Sequence, residues 1–170
     1  MIKIAIDAMG GDFAPEQQVK GAIEALGKSG DFSVILAGDE AALKAELSKY
    51  KYDSSRVEIV HAPEVITNDD VPTKAVKTKK NSSTVVAFEL LKEGRADALV
   101  SSGATGAVLT AAVLVLGRIK GISRPALCPR IPNLKGTGTL LCDCGANLDC
   151  KPVNLAHFAI MATAYAQDRK

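Results

Sequence analysis

Short apolar runs alternate with segments of helical periodicity along most of the chain. The apolar runs predict strands at 2–7, 33–37, 56–60, 97–100, 125–129 and 139–142. The helical segments run from Pro15 to about Gly27, from Ala41 to Lys49, from Ser82 or Ser83 to about Lys92, from the turn at 101–107 up to Gly117, and from Asn154 to Lys170. Helices are the common crossover between parallel strands. We therefore predict an α/β fold, a mainly parallel sheet with helices on both faces, as a single domain over 1–170.

Two segments depart from this alternation. The stretch 63–81 is polar and basic, and we predict a long irregular connection of the kind that is functional or mobile. At its end, Lys79 and Lys80 directly precede a serine-capped helix start, where an anion gains from both the lysines and the helix. The last helix reaches Lys170 with no capping glycine and no closing strand, so we expect the chain to stop in mid-architecture.

Composition narrows the classes of protein. The 170 residues carry 21 Lys plus Arg against 19 Asp plus Glu, so the balance gives no electrostatic case for nucleic acid. The longest apolar stretch, 107–116, is about half of the ~20 residues that span a bilayer, and the amino terminus carries no secretory pattern. We expect a cytoplasmic protein. Its four cysteines are expected to be reduced, and their spacing is poor for a metal site, so we predict no metal and no cofactor.

Three loops carry the candidate chemistry. In open parallel sheets, ligands bind beyond the carboxyl ends of the strands, and the loops at 7–12, 101–107 and 143–147 each follow a predicted strand. All three are rich in glycine or small residues, and two of them open helices, whose free N–H groups favour an anion such as phosphate. Turn geometry alone explains a glycine in any one of these loops, so the prediction depends on the three together. The two histidines, His61 and His157, are predicted to be structural.

In chain order, these segments resemble the phosphate acyltransferase family (PlsX) of bacterial phospholipid synthesis. The resemblance rests on IAIDAMGGDFAP at 4–15, KKNSS at 79–83, Gly94 with ADA at 96–98, SSGATGA at 101–107, RPAL at 124–127, and Asp143 with GAN at 145–147. The family commonly has alanine where this chain has Ser102, asparagine where it has Ala104, and arginine where it has Lys77. Family members are about twice as long, so the resemblance is to their amino-terminal half.

The resemblance implies a fold similar to phosphotransacetylases and isocitrate dehydrogenases, and a reaction in which inorganic phosphate attacks the thioester of a long-chain acyl group on acyl carrier protein. It also implies a homodimer, peripheral membrane association, and a membrane glycerol-3-phosphate acyltransferase that receives the acyl phosphate. The nucleophile is phosphate itself, so the enzyme contributes positioning and fixed dipoles and needs no catalytic serine or cysteine.

Site roles follow from position in the loops. We predict catalytic roles for Asp143, which would orient phosphate or take its proton, for Asn147, which would donate to an oxyanion, and for Lys80. The predicted phosphate-binding residues are Ser102, Gly103, Thr105, Gly106, Asp7, Gly10, Gly11 and Asp12.

Two alternatives stay open. One is a phosphate acyltransferase that takes its acyl group from coenzyme A. The other is a half-length chain without catalysis that binds phosphate, a membrane surface or a partner subunit.

Overall fold

The computed structural model describes residues 1–134 and 136–168, with the side chain of residue 168 excepted. The chain divides into two compact units, Met1–Gly117 and Arg118–Lys170. We call them unit 1 and unit 2 and describe each by itself. That the whole chain forms a single domain stays a prediction.

Unit 1 is built on a four-stranded parallel sheet. Its strands are β1 (Ile2–Asp7), β2 (Phe32–Gly38), β3 (Val57–His61) and β4 (Ala98–Val100), in the spatial order β3-β2-β1-β4. In the register, Asp7 lies beside Ala37, and Ile6 lies beside Val100. The predicted mainly parallel sheet is confirmed, and the carboxyl ends of β1 and β4 adjoin each other.

Helices cover both faces of this sheet. The helices of unit 1 are α1 (Glu16–Lys28), α2 (Glu40–Leu47), α3 (Pro72–Thr78), α4 (Ser83–Lys92) and α5 (Thr105–Ala111), which continues as a π-helical turn over Ala112–Leu116. Val34 and Leu36 of β2 pack with residues of α1 and α2. Ile35 and Ala37, which alternate with them, pack with residues of α4. Because successive strand side chains point to opposite faces, α1 and α2 lie on one face and α4 on the other.

Local signals in the sequence set most helix ends. Asp39 caps α2 by accepting a hydrogen bond from the Ala42 N–H at 2.8 Å, and Ser82 caps α4 by accepting one from the Val85 N–H at 3.4 Å. After α4, Gly94 takes a φ of +70°, which glycine adopts at little cost. These boundaries agree with the predicted ones within one or two residues.

The connection at 63–81 is more ordered than predicted, because it contains α3. Pro72 occupies the start of this helix, where its missing N–H costs nothing. Only Ala75 and Val76 of its seven residues are buried, and lysines flank them, so the sequence shows no clear helical repeat of apolar residues here. Lys79 directly follows α3, and its ammonium group donates hydrogen bonds to two residues that precede the helix. It bonds to the Asp70 carboxylate at 2.6 Å and to the Val65 carbonyl at 2.9 Å.

Unit 2 has less regular structure. Its two strands, β5 (Arg130–Ile131) and β6 (Thr139–Leu140), pair antiparallel. The predicted strand at 125–129 is wrong, because these residues form no strand. Pro125 and Pro129, at the two ends of this segment, have no N–H to donate to a neighbouring strand. The Leu127 N–H and carbonyl bond to the loop after β6 and not to a strand. The predicted strand at 139–142 is present but ends at Leu140.

The helix α6 spans Pro152–Asp168 and begins two residues before the predicted start. Asn154 accepts a hydrogen bond from the Lys151 N–H at 2.9 Å and donates to the Ser123 hydroxyl at 2.7 Å, which ties the first turn to the rest of unit 2. Arg169 and Lys170, to which the helix was predicted to extend, lie outside the described residues. Within the described part of the chain, no helix combines the length and the apolar character needed to cross a membrane.

Candidate functional site

Two loops cross at the carboxyl edge of the sheet in unit 1. The first follows β1, and the second links β4 to α5. The Ser102 hydroxyl in the second loop donates to the Gly10 carbonyl in the first at 2.9 Å. Gln18, in the first turn and a half of α1, donates its Nε2 hydrogens to that same carbonyl and to the Ser102 hydroxyl oxygen, the latter at 3.0 Å. The structure thus brings together two of the three predicted loops.

Asp7 lies beneath the crossing and is completely buried. Its Oδ2 accepts hydrogen bonds from the Thr84 and Ser101 hydroxyls, each at 2.8 Å. The Ser101 hydroxyl oxygen in turn accepts from the Gly103 N–H at 3.1 Å. One carboxylate therefore connects β1, α4 and the second loop, and it fixes the backbone of Gly103 through Ser101. Asp7 is placed to position the loop from below.

Glycine is required where the loops approach. A Cβ on Gly10 would lie 2.6 Å from Asp7 Oδ2, closer than real Cβ atoms come, and 3.0 Å from the Gly103 nitrogen, which is a tight contact. Gly11 has a φ of +111°, and a Cβ there would lie 3.0 Å from the Ser102 hydroxyl oxygen. The Gly-Gly pair thus does more than form a turn, because the absence of side chains lets the backbones of the two loops come into contact above Asp7.

A polar cleft of about 420 Å³ opens above the crossing. Its walls are Met9, Gly11 and Asp12 of the first loop, 102–105 of the second, and 65–69 from the connection after β3. The first turn of α5 begins here, and the leading N–H groups of a helix have no partner within the helix. The Thr105 hydroxyl adds a donor, whereas the Ser102 hydroxyl already donates to Gly10 and the Thr67 hydroxyl donates to the Asp70 carboxylate at 3.2 Å. Among the described residues, no lysine or arginine lines this cleft, whereas Asp12 and Asp69 do.

Several predicted phosphate-binding residues lie outside the lining of this cleft. Asp7 and Gly10 lie under the loops, as described above. A Cβ on Gly106 would come within 2.9 Å of Pro72, so this glycine allows α3 to pack against α5. Lys80 is exposed just beyond α3 and does not line the cleft. Ser102, Gly103, Thr105, Gly11 and Asp12 do line it.

The third predicted loop belongs to unit 2, where Asp143 organises it. Asp143 Oδ1 accepts from the Leu127 N–H at 2.7 Å, and Oδ2 accepts from the Asn147 backbone N–H at 2.8 Å and its side-chain Nδ2 at 3.1 Å. The other Nδ2 hydrogen of Asn147 goes to the Pro125 carbonyl at 2.9 Å. Both amide hydrogens of Asn147 are therefore engaged within the loop. The catalytic roles of Asp143 and Asn147 stay predictions.

Protonation in this loop follows from these contacts. Partial burial raises the pKa of Asp143, but the hydrogen bonds from Leu127 and Asn147 together outweigh it and hold the pKa below its ordinary value. Burial, with the neighbouring Cys128, raises the pKa of Cys142 to about 11. The Cys142 thiol is consequently protonated near neutral pH and is a poor nucleophile.

The two histidines have structural contacts. His61 Nδ1 accepts from the Glu40 N–H at the start of α2, at 3.2 Å. His157 Nδ1 lies 3.4 Å from the Ser123 hydroxyl oxygen. The sequence reasoning missed Gln18 and Thr84. Both are polar residues in the first turns of helices that begin at the carboxyl edge of the sheet, and that position is the signal that points to them.

Comparison with known proteins agrees with this architecture. The family described as "Fatty acid synthesis protein" matches residues 2–169. The chain belongs to this family. Phosphate acyltransferases from Clostridioides difficile and Fusobacterium nucleatum are 52% and 53% identical to it over 166 residues. The predicted resemblance and the enzyme class, an acyltransferase family, are confirmed.

The chain spans about half the length of these relatives. The match covers 98% of this chain, but 48% of the Clostridioides difficile protein and 50% of the Fusobacterium nucleatum protein. A phosphotransacetylase from Streptococcus pyogenes has a similar fold, with a TM-score of 0.66 at 21% identity over 94% of this chain and 51% of that protein. The family member described here thus corresponds to the amino-terminal half of a phosphate acyltransferase, with a phosphotransacetylase-like fold.

Proposed function

We propose that this chain provides the phosphate-binding half of an enzyme that forms acyl phosphate from inorganic phosphate and a long-chain acyl group on acyl carrier protein. The observation that carries the proposal is the polar cleft above the crossed loops, where Thr105 and the first turn of α5 lie at the carboxyl edge of a parallel sheet. The relatives' name, phosphate acyltransferase, supports acyl transfer to phosphate.

In this reaction, a phosphate oxygen attacks the carbonyl carbon of the thioester. The carbonyl oxygen takes up the negative charge, and the carbon–sulfur bond then breaks to release the carrier thiolate, which takes up a proton. The chain's task is to hold phosphate in line with the carbonyl, because positioning converts a slow encounter between two substrates into a reaction within one complex. Thr105 supplies its hydroxyl and, with Ala104, backbone N–H groups. Ser102 and Gly103 line the cleft, and their own donors hold the two loops together.

The charge of the cleft sets a further requirement. Asp12 and Asp69 in its lining repel a phosphate dianion, so hydroxyls and N–H dipoles need help from a cation. Lys80 is our candidate for that cation within this chain. The proposal also keeps the predicted catalytic roles in unit 2, with Asp143 as the residue that orients phosphate or accepts its proton and Asn147 as the donor to the developing oxyanion.

The proposal includes partners that fit this chemistry. The acyl donor is acyl carrier protein, and the acyl phosphate passes to a glycerol-3-phosphate acyltransferase in the membrane. We also propose a cytoplasmic homodimer that associates peripherally with the membrane, so that a product with a long acyl chain leaves near the bilayer.

Phosphate binding and turnover test the proposal in two steps. Isothermal titration with inorganic phosphate measures the affinity of the chain and of its Ser102→Ala and Thr105→Val variants, with Thr163→Val on α6 as the matched control. We expect Thr105→Val to weaken binding about fivefold to tenfold, as the loss of one hydrogen bond to an anion would. Ser102→Ala should also weaken binding, because it removes the hydrogen bond to Gly10 that joins the two loops. Equal affinity in the cleft variants and the control would contradict the phosphate site.

Turnover is measured as acyl phosphate trapped by hydroxylamine, with palmitoyl-acyl carrier protein as the donor. We expect activity when the 166 matched residues of this chain replace the corresponding part of the Clostridioides difficile relative. Palmitoyl-coenzyme A as the donor distinguishes the coenzyme A alternative, which predicts faster turnover with that thioester. An inactive chimera whose phosphate affinity is normal would contradict the catalytic roles given to this half.

One observation favours the alternative of a half-length chain that binds without catalysis. Asp143 and Asn147 are fully occupied with each other and with Leu127 and Pro125. Phosphate binding by the short chain, with no turnover either in the short chain or in the chimera, is the outcome that this alternative predicts.

A further inference from the structure

Two cysteines of unit 2 face each other at the end of its antiparallel pairing. The register of β5 and β6 places Arg130 beside Leu140. Beyond the strands, the Leu141 N–H donates to the Pro129 carbonyl at 3.1 Å, which continues the same register by one step. Proline has no N–H, so this is the one backbone hydrogen bond that the pair can form. One step further, each of the two segments carries a cysteine.

These cysteines, Cys128 and Cys142, occupy a position where a disulfide fits. Hydrogen-bonded and non-hydrogen-bonded pairs alternate in an antiparallel ladder, so the pair that follows Pro129 and Leu141 is a non-hydrogen-bonded one. The Cα atoms of such pairs lie about 4.5 Å apart, within the roughly 4.4–6.8 Å that disulfides span. Both cysteines are half-buried free thiols, so a small reagent can reach them.

The protonation of Cys142 agrees with this placement. Burial is the main cause that raises the pKa of Cys142 to about 11, and the charge and side-chain contact of Cys128 add to it. A side-chain contact requires short range, so it places the two sulfur atoms together, as the register does. The Cys150 thiol is engaged elsewhere, because it donates to the Asn147 carbonyl at 3.6 Å. Cys128 and Cys142 are therefore the pair that the fold brings together.

We propose that Cys128 and Cys142 are a redox-sensitive pair that closes to a disulfide by exchange with a low-molecular-weight disulfide. Cys128 begins the exchange, since Cys142 is the poor nucleophile. The Cys128 thiolate attacks one sulfur of the reagent, whose first half leaves as a thiolate and takes up the proton that Cys128 lost. Cys142 then loses its proton and attacks the Cys128 sulfur, and the second half of the reagent leaves in the same way. The two protein thiols are thereby oxidised, and the reagent is reduced to two thiols.

The disulfide would brace the loop that Asp143 organises. Cys128 directly follows Leu127, and Cys142 directly precedes Asp143. The Leu127 N–H donates to the Asp143 carboxylate at 2.7 Å, so the new bond would join covalently the two segments that this hydrogen bond already joins. A cross-link between residues 128 and 142 also restricts the unfolded chain, so oxidation should raise the temperature of unfolding.

Peptide mapping of the unsubstituted 170-residue chain tests the pairing. The chain is incubated with oxidised glutathione, its remaining thiols are alkylated, and it is digested with trypsin and with a protease that cleaves before aspartate. Asp143 and Asp149 lie between the last three cysteines, so each of the four cysteines falls in its own peptide. We expect the peptide of Cys128 to be joined to the peptide of Cys142. Unreacted thiols, glutathione retained on either cysteine, or another pairing as the main product would overturn the proposal.

Two variants measure the effect on stability. The first, Cys144→Ser with Cys150→Ser, keeps the proposed pair, and the matched control, Cys128→Ser with Cys142→Ser, keeps the other two cysteines. We expect oxidised glutathione to raise the unfolding temperature of the first variant by at least about 5 °C and to change that of the control by less than about 1 °C. An equal change in the two variants would overturn the proposal. Neither measurement depends on turnover, so its result is independent of the proposed function.

Discussion

The two units of this chain reach order by different means. Unit 1 buries apolar side chains on both faces of a parallel sheet, with Leu36 and Ile35 completely or almost completely buried. In the described part of unit 2, Phe158 is the only large apolar residue that is buried, and Leu148 is 94% exposed. Unit 2 is held instead by polar contacts, above all those of Asp143 and Asn154.

This difference bears on where function can be located. A site needs a rigid support, because loose positioning loses the gain from holding reactants together. The crossed loops of unit 1 rest on buried Asp7 and on the core beneath it, so their geometry is fixed by the fold. The Asp143 loop is fixed mainly by its own hydrogen bonds, and it is therefore more sensitive to pH and to substitution.

The largest expected effect is on the free energy of unfolding, and it compares a buried leucine of unit 1 with an exposed leucine of unit 2. Leu36→Ala should lower the free energy of unfolding by about 2–5 kcal/mol, because it leaves a cavity in a packed core. Leu148→Ala should change it by no more than about 0.5 kcal/mol, because the side chain is already in solvent. Urea denaturation followed by circular dichroism measures both. If Leu148→Ala destabilised the protein as much as Leu36→Ala does, the contrast between the units would be wrong.

A smaller effect is expected at the crossing of the loops. Gly10→Ala should lower the free energy of unfolding by roughly 1–3 kcal/mol, because its Cβ would meet the Asp7 carboxylate. Gly21→Ala is the matched control. Its Cβ would meet no atom within 4 Å, and alanine favours the helix, so it should stabilise the protein by about 0.5–1 kcal/mol. Thermal unfolding measures both changes in stability, which should be opposite in sign. If Gly10→Ala also stabilised the protein, the close contact between the loops would not be needed for stability.

How much the sequence predicts also differs between the units. In unit 1, β1, α1, β2 and α4 follow from apolar period and capping residues, because long buried elements impose a clear pattern. The helix α3 was missed because two buried residues among lysines carry too weak a period. In unit 2, the strand at 125–129 was predicted from an apolar run, but such a run does not reveal that its partner is a loop.

The candidate site shows the same limit. Glycines and hydroxyls in the loops were evident from residue type and from their place after strands. The contact between Asp7 and Thr84 joins residues 77 positions apart, and burial of the carboxylate depends on how β1 and α4 pack. Sequence therefore indicated which loops to examine, whereas the distinction between residues that line the cleft and residues that support it required the fold.

The contribution of the Asp143 loop to stability should depend on pH. The pKa of Asp143 is lower in the folded chain than its ordinary value, so the folded state binds this proton less tightly. Its stabilising contribution is thus present above the unfolded pKa of about 3.9 and is lost as the pH falls through the folded value. Asp143→Asn should reduce stability by about 1–2 kcal/mol near neutral pH.

Thermal unfolding of both proteins over a range of pH checks this expectation. The difference between wild type and Asp143→Asn should shrink as the pH falls below about 4. A difference that stayed constant down to the lowest pH would mean that the charge of Asp143 does not hold the loop.

The smallest expected effect distinguishes two adjacent lysines. Lys79 is half-buried and donates to Asp70 and to the Val65 carbonyl, so Lys79→Met should lower the free energy of unfolding by about 1 kcal/mol. Lys80 is exposed, and Lys80→Met should change stability by less than about 0.5 kcal/mol. If Lys80 supplies the cation that the acidic cleft needs, its variant should nevertheless weaken phosphate binding more than Lys79→Met does. Phosphate titration of the two variants therefore distinguishes a structural lysine from a functional one. A larger loss of phosphate affinity in Lys79→Met than in Lys80→Met would assign the cation to Lys79.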